Sequence, residues 1–402
     1  MNDTTFRRSR LRPDDEARRG AIMILAAAML IVVIGFAAFT VDFGMVTLTK
    51  GQMQSAADAA AHAATLEISR AFGPGGELTA QAAEDIARDR AVEMVARFRT
   101  GDVTSSQADT VRDVRVGRRS WNSASQQWVE EWGVAPYNMV EVTVRRTAAD
   151  TTALPMTFAQ VLGRDSFELT ATSVAALAPG VGFSLESDGP SPTATIDILP
   201  IALDLGSWTD LLDQCYNGTN HGYDDDYSWT SANGLENNRS DSIPEINMYP
   251  DLNSSDAPGN RGMVDLGAAG NSTADIKRQI VDGLNAYDLS FLPNNEITFD
   301  ENGALYLNGD TGISAGVEDA LESIIGQVRA IPIFIEVTGQ GNNATFTVVK
   351  FVGVRIMDVR LSGGPSIRHL TVQPAPFTCS NVIRGEVEVN VDSLLSQPVV
   401  IR

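Results

Sequence analysis

Only two cysteines and three histidines occur in the 402 residues. With Cys215 and Cys379 alone there is no C-x-x-C pair and no Cys/His cluster at metal-ligand spacing, which excludes a zinc site of that kind. Two cysteines allow one bridge, Cys215 to Cys379, and closing so long a loop would stabilise by about 4 to 5 kcal/mol in the loop-entropy picture. Two buried free thiols satisfy the sequence nearly as well. His62, His221 and His369 stand beside no G-x-S-x-G, H-E-x-x-H or phosphate-loop string, so each reads as structural. No catalytic residue and no cofactor site is assigned. Positive charge is also scarce: the net charge is −21, and beyond Gly180 about 30 acidic residues face about 11 basic ones. Such a surface repels nucleic acid and anionic headgroups.

Residues 1–20 invert that balance, with Arg7, Arg8, Arg10, Arg12, Arg18 and Arg19 outnumbering the acids. A basic arm directly before an apolar run is a topology signal. Polar and without periodicity, it reads as unstructured. From Ala21 to Val41 no residue is charged, and a helix of that length covers roughly 31 Å, the thickness of a bilayer's hydrocarbon core. A cleaved signal has a shorter apolar centre, and a soluble core helix of this length carries more polar positions than Thr40 alone. The run therefore reads as a transmembrane anchor. The arginines before it and Asp42 after it place the N-terminus in the cytoplasm and everything downstream outside.

Past the membrane, residues 42–71 contain no proline and are dense in alanine, the strongest helix former. The helix is expected to continue to about Ala71, to break at "GPGG" (73–76), and to be followed by a second helix to about Phe98, a helical hairpin. Ala56, Ala57, Asp58, Ala60, Ala61 and Ala64 form a small-residue face that lets another backbone approach closely. Two readings stay open for it: a helix packed against another protein's helix, or a solvent-exposed, Ala-rich helix held by propensity and its own hairpin partner.

These residues carry a resemblance. Arg19 and Gly20 before the span, Val41, Asp42 and Gly44 after it, then Met53, Gln54, Ala57, Asp58, Ala59, Ala60 and Ala61 closely resemble the N-terminal segment of TadG-like proteins of the tight-adherence (Flp) pilus system. His62 stands where that family usually has leucine. The likeness continues more loosely to about Leu177: a strand, turn and strand in "VRVGRRSWNSASQQWVEE", a strand with Val140, Val142 and Val144 on one face, and "MTFAQVLG" ending on a glycine suited to a helix C-cap. The resemblance implies a non-enzymatic, single-pass inner-membrane component with a periplasmic body and protein partners in a pilus or secretion assembly. Processed pilins of this system carry glutamate five residues after the cleaved glycine. Here Leu25 holds that place, which implies a retained anchor. Some relatives carry a von Willebrand A domain with a D-x-S-x-S metal site, and "DYSWT" (226–230) does not reproduce it.

Residues 179–193 have the Pro, Gly and Ser load of a linker before an acidic domain from 194 to 402. Within that domain, Trp208, Leu211, Leu212 and Cys215 share a helix face. Ser272 caps a helix with Asp275 three residues on, and Val317, Leu321, Ile324, Ile325 and Val328 form a second apolar stripe. Residues 330–363 read as a hairpin turned at "GQGNN". Val352, Val354 and Ile356 keep one phase and Met357, Val359 and Leu361 the other, which calls for a bulge. Asp224, Asp225, Asp226 and Asp310 are hard oxygen donors that could hold calcium, although none matches an EF-hand spacing. The fold class is α+β: an anchor helix running into a helical hairpin, a small β-rich portion to 178, then a loop-rich α+β domain with a mainly antiparallel sheet. A membrane-anchored adhesin or ligand-binding ectodomain is the competing function.

Overall fold

Between Pro13 and Pro74 nothing in the sequence interrupts a helix, and one unbroken helix, α1, fills Pro13–Ile68. Pro13 sits in its first turn, where the missing N–H costs nothing. The computed structural model describes residues 13–185, 194–249, 261–267, 272–339, 341–364 and 367–402. Residues 1–12 of the basic arm and 186–193 of the expected linker lie outside that set. Residues 13–20, expected to be unstructured, instead form the first turns of α1, because past Pro13 nothing there breaks a helix. The chain divides into two compact units: one gathers residues up to Ala57, Val95–Ala108 and Thr143–Ala171, the other Asp58–Met94, Asp109–Val142 and Thr172–Arg402.

In the first unit, a hairpin pairs Leu154–Pro155 with Ser166–Phe167. Its tip is a single 3-10 turn, Ala159–Leu162, closed by Gly163 at φ 75°. The helix expected in "MTFAQVLG" is thus one turn long, with the glycine in the capping role. Arg146 ties the unit together, donating to the carbonyls of Thr100 (2.7 Å) and Thr152 (2.6 Å) and pairing with Asp102 (2.7 Å).

In the second unit, α1 ends in a 3-10 turn, Ser69–Ala71. The expected break follows, and α2 runs over Ala80–Ala96 with the Thr79 hydroxyl accepting from Ala82 N–H. Glu67 and Glu77 hold Arg70 across the break. A five-stranded sheet has the order Gln127–Trp132, Val114–Asn122, Met139–Arg146, Leu169–Ala176 and Val399–Val400, of which residues 143–146 and 169–171 are counted with the first unit. Val140 and Val142 are buried as expected. The strand Val399–Val400 pairs antiparallel with Ala175 and Ala176.

The larger sheet of this unit closes on itself. Ala344–Arg360 pairs with Leu305–Asp310 on one side and with Val328–Thr338 on the other, and Arg261–Val264 and Ile201–Asp204 complete the ring. All these pairings are antiparallel except Ile201–Asp204 with Val328–Thr338. Phe346 fills the narrow interior against Phe334, ring centres 5.0 Å apart, because Gly262 and Gly309 leave it room: a Cβ at either position would strike its ring. Helices α3 (Leu205–Asn217) and α4 (Thr273–Asp282) share a second core with the opposite strand face, through Trp208, Leu211, Ile276 and Ile280.

Several expectations hold in detail. The Ser272 hydroxyl accepts from Asp275 N–H at 3.1 Å. The strand Ala344–Arg360 slips register against His369–Pro374 between Ile356 and Asp358, at the expected phase change. Two need correction. The stripe from Val317 gives only a 3-10 turn and the short helix Glu318–Glu322. Gly326, at φ 81°, turns the chain, so Val328 begins a strand. Gly180–Ser184, inside the expected linker, is a strand paired with Glu296–Thr298 and Val382–Arg384.

Candidate functional site

The apolar run defines the site. From Met23 to Val41 the large side chains of α1 stand clear of the other described residues. The helix carries a window of mean hydropathy 2.7, none of it buried, long and apolar enough to cross a membrane. Thr40 turns its hydroxyl back to the Phe36 carbonyl at 2.8 Å, so this one polar side chain is satisfied within the helix, as a bilayer requires.

Directly after the run, Asp42 is buried. Its carboxylate accepts from the backbone N–H groups of Thr157 (3.0 Å), Phe158 (3.0 Å) and Ala159 (2.6 Å). A carboxylate holding three donors is a strong fastening, and it fixes the hairpin tip to the helix at the end of the uncharged stretch. Further along, Lys50 Nζ donates to the Thr170 carbonyl, and the Gln52 side chain accepts from Gly101 N–H at 2.7 Å. Sequence reading singled out Asp42 only as a motif residue and as the charge ending the run. Its partners lie more than a hundred residues away, and no local pattern points to them.

The alanine face is covered by the chain itself. Ala56, Ala57, Ala60, Ala61 and Ala64 are fully buried, and the Thr65 hydroxyl reaches the Ala175 carbonyl at 3.3 Å. The face is thus neither solvent-exposed nor open to another protein's helix, and both sequence readings of it are corrected by this burial. Asp58 is half-buried and His62 exposed.

The remaining candidates do not converge. Cys215 on α3 and Cys379 are both free thiols, so the bridge does not form. Burial pushes the Cys215 thiol up to about 12 and raises Cys379 as well. Asp225 accepts from Ser240, Asp241 N–H and Ser242 N–H. Asp226 and Asp224 make backbone bonds to Glu245, and Asp310 lies on the barrel strand opposite Met263. Among the described residues, no three of His, Cys, Asp or Glu are grouped to hold a metal ion. His221 lies 2.8 Å from Asp213 and His369 2.9 Å from Asp358. Asn217 and then His221 draw Asp213 down to about 2. An open groove of about 600 Å³ lies along Phe299, Lys350, Phe351 and Asp392, but its lysine is already paired with Asp392.

One acidic cluster was not anticipated. Glu245, 5% exposed, accepts from Asp226 N–H at 2.9 Å and Gln373 Nε2 at 3.4 Å. Burial, with Asp225 and Asp241 nearby, pushes its carboxyl up to about 8. Arg355 lies over the Trp229 ring at 3.3 Å.

No curated protein and no solved structure matches the chain. Residues 20–83, which hold the apolar run, Asp42, the alanine face and the start of α2, match the family described as "Putative Flp pilus-assembly TadE/G-like".

Proposed function

We propose that the protein is a non-enzymatic, single-pass structural or assembly component of a Flp-type pilus or related secretion apparatus. It is anchored in the inner membrane by residues 21–41, with its N-terminus in the cytoplasm and its body in the periplasm. The observation that carries this reading is the family match at residues 20–83, which falls on a helix whose apolar side chains from Met23 to Val41 find no cover among the described residues. The orientation follows from the arginines that precede the run. Leu25, in the place of the processed pilins' glutamate, favours an anchor that stays attached.

The partners are proteins of the assembly. With the alanine face covered internally, they meet the outer surface of the body or the lipid-facing side of the anchor. Deleting the coding sequence should abolish pilus assembly and surface adhesion, with recovery on complementation. Unchanged piliation would remove the proposal. Reporter fusions at residue 5 and at residue 402 should report cytoplasm and periplasm respectively.

A further inference from the structure

The segment Leu154–Phe167 combines three properties that call for a common explanation. It is a rigid finger: Leu154 pairs with Phe167, Met156 N–H bonds the Asp165 carbonyl at 3.0 Å, and Gly163 closes the turn at the tip. Its tip is fastened to Asp42, the first residue after the uncharged run. It also displays large apolar side chains to solvent: Val161 is 87% exposed, Phe167 48% and Phe158 43%.

The fastenings along α1 give the finger a direction. Gln52 holds Gly101, Lys50 holds Thr170, and Asp42 holds Thr157 to Ala159. At about 1.5 Å per residue, Lys50 and Gln52 lie about 12 and 15 Å farther from the apolar run than Asp42 does. Passing from Thr170 back to Ala159 therefore means descending α1 toward the bilayer, and the 3-10 turn is the lowest of the three attachments. Phe39 and Phe43 of α1, stacked with ring centres 6.1 Å apart, flank Asp42 along the helix and are exposed as well. An exposed apolar patch continuous with a membrane-spanning stretch finds its cover in the same lipid. Arg164, exposed just past the tip, is placed to meet a lipid phosphate.

We propose that this finger is a second membrane contact: Phe158, Val161 and Phe167 enter the headgroup and acyl boundary of the outer leaflet beside the anchor, with the phospholipid bilayer as occupant. The proposal rests on residues 21–41 spanning the membrane. The finger then acts as a collar that fixes how deep α1 sits and which way it faces, since it reaches the interface on one side of the helix only.

The test uses the full chain in vesicles of phosphatidylethanolamine and phosphatidylglycerol, with Cys215→Ser and Cys379→Ser removing the native thiols. Val161→Cys carries a nitroxide, and its relaxation by oxygen and by a water-soluble nickel chelate is measured. Phe36→Cys in the apolar run and Ser105→Cys in the segment 95–108 are the references. The Val161 label should favour oxygen over nickel several-fold more than the Ser105 label, approaching Phe36. Nickel access equal to that of Ser105 overturns the proposal. Exclusion of both reagents also overturns it, because the finger is then covered by protein, such as a second copy. If the Phe36 label is itself open to nickel, the anchor reading fails and the finger falls with it, whereas a lipid-buried Phe36 beside a water-exposed Val161 removes the finger alone.

Discussion

Replacing Glu245 with glutamine should change how stability depends on pH. The side chain is buried where Ile246–Asn247 joins the edge of the larger sheet, and it shares its surroundings with Asp225 and Asp241, whose charges oppose its ionisation. Burial is the larger cause, and the N–H groups of Asp226 and Tyr227 only partly offset it. The folded carboxyl therefore titrates near 8 rather than at its ordinary 4.5. Between those values the folded state holds a proton that the unfolded state has released, so stability is highest below about 4.5 and falls as pH rises toward about 8. At about 1.4 kcal/mol per unit the ceiling is ~5 kcal/mol, and local relaxation brings the expected loss to about 2 to 4 kcal/mol. The Glu245→Gln side chain keeps the shape and an acceptor oxygen but carries no charge, so that loss disappears. Urea unfolding of the detergent-solubilised chain, followed by tryptophan fluorescence at about pH 5 and about pH 9, measures it. The wild type should lose more stability than Glu245→Gln between the two, and the variant should be the more stable at the higher pH. Parallel losses would refute the reasoning.

Three further outcomes follow from the core. Trp208 is buried and donates from Nε1 to Asp392 at 2.8 Å. Trp208→Ala should cost about 3 to 5 kcal/mol in urea unfolding, whereas Trp208→Phe, which leaves Asp392 its Lys350 partner, should cost about 1 to 3 kcal/mol. Ala61→Leu inserts volume into a fully buried face and should destabilise by about 1 to 3 kcal/mol, readable as a lower melting temperature. Cys215 and Cys379 should react with a thiol reagent far more slowly in the folded chain than in urea, and reductant should leave the melting temperature unchanged, because both are free and their ionisation is opposed by burial.

Features carried by short-range pattern were legible in the sequence, and those made by distant pairing were not. The unbroken α1, the break at Gly73–Gly76, the Ser272 cap and the phase change after Ile356 each depend on neighbours within a few residues. Ring closure depends on Ile201–Asp204 meeting Val328–Thr338 in parallel, for which neither segment carries a mark. Gly180 and Gly182 read as linker residues because glycine signals flexibility. In the structure they serve close approach, since a Cβ on Gly182 would strike the Ile297 carbonyl and one on Gly180 the Val382 side chain. At the candidate site, length and the lack of charge sufficed for the apolar run. By composition the alanine face suits solvent and a partner helix equally, and only the folded chain shows that it is buried within the chain.

The pairing of Val399 and Val400 with Ala175 and Ala176 has a consequence for biogenesis. If the body is exported from its N-terminal side, the strand Leu169–Ala176 crosses the membrane more than two hundred residues ahead of the strand that seals it. Until Val399 and Val400 emerge, that edge presents unpaired N–H and C=O groups, the arrangement that invites pairing with another chain. On that route the sheet is completed only after Val399 and Val400 have followed, and a product that stalls before residue 399 leaves that edge open.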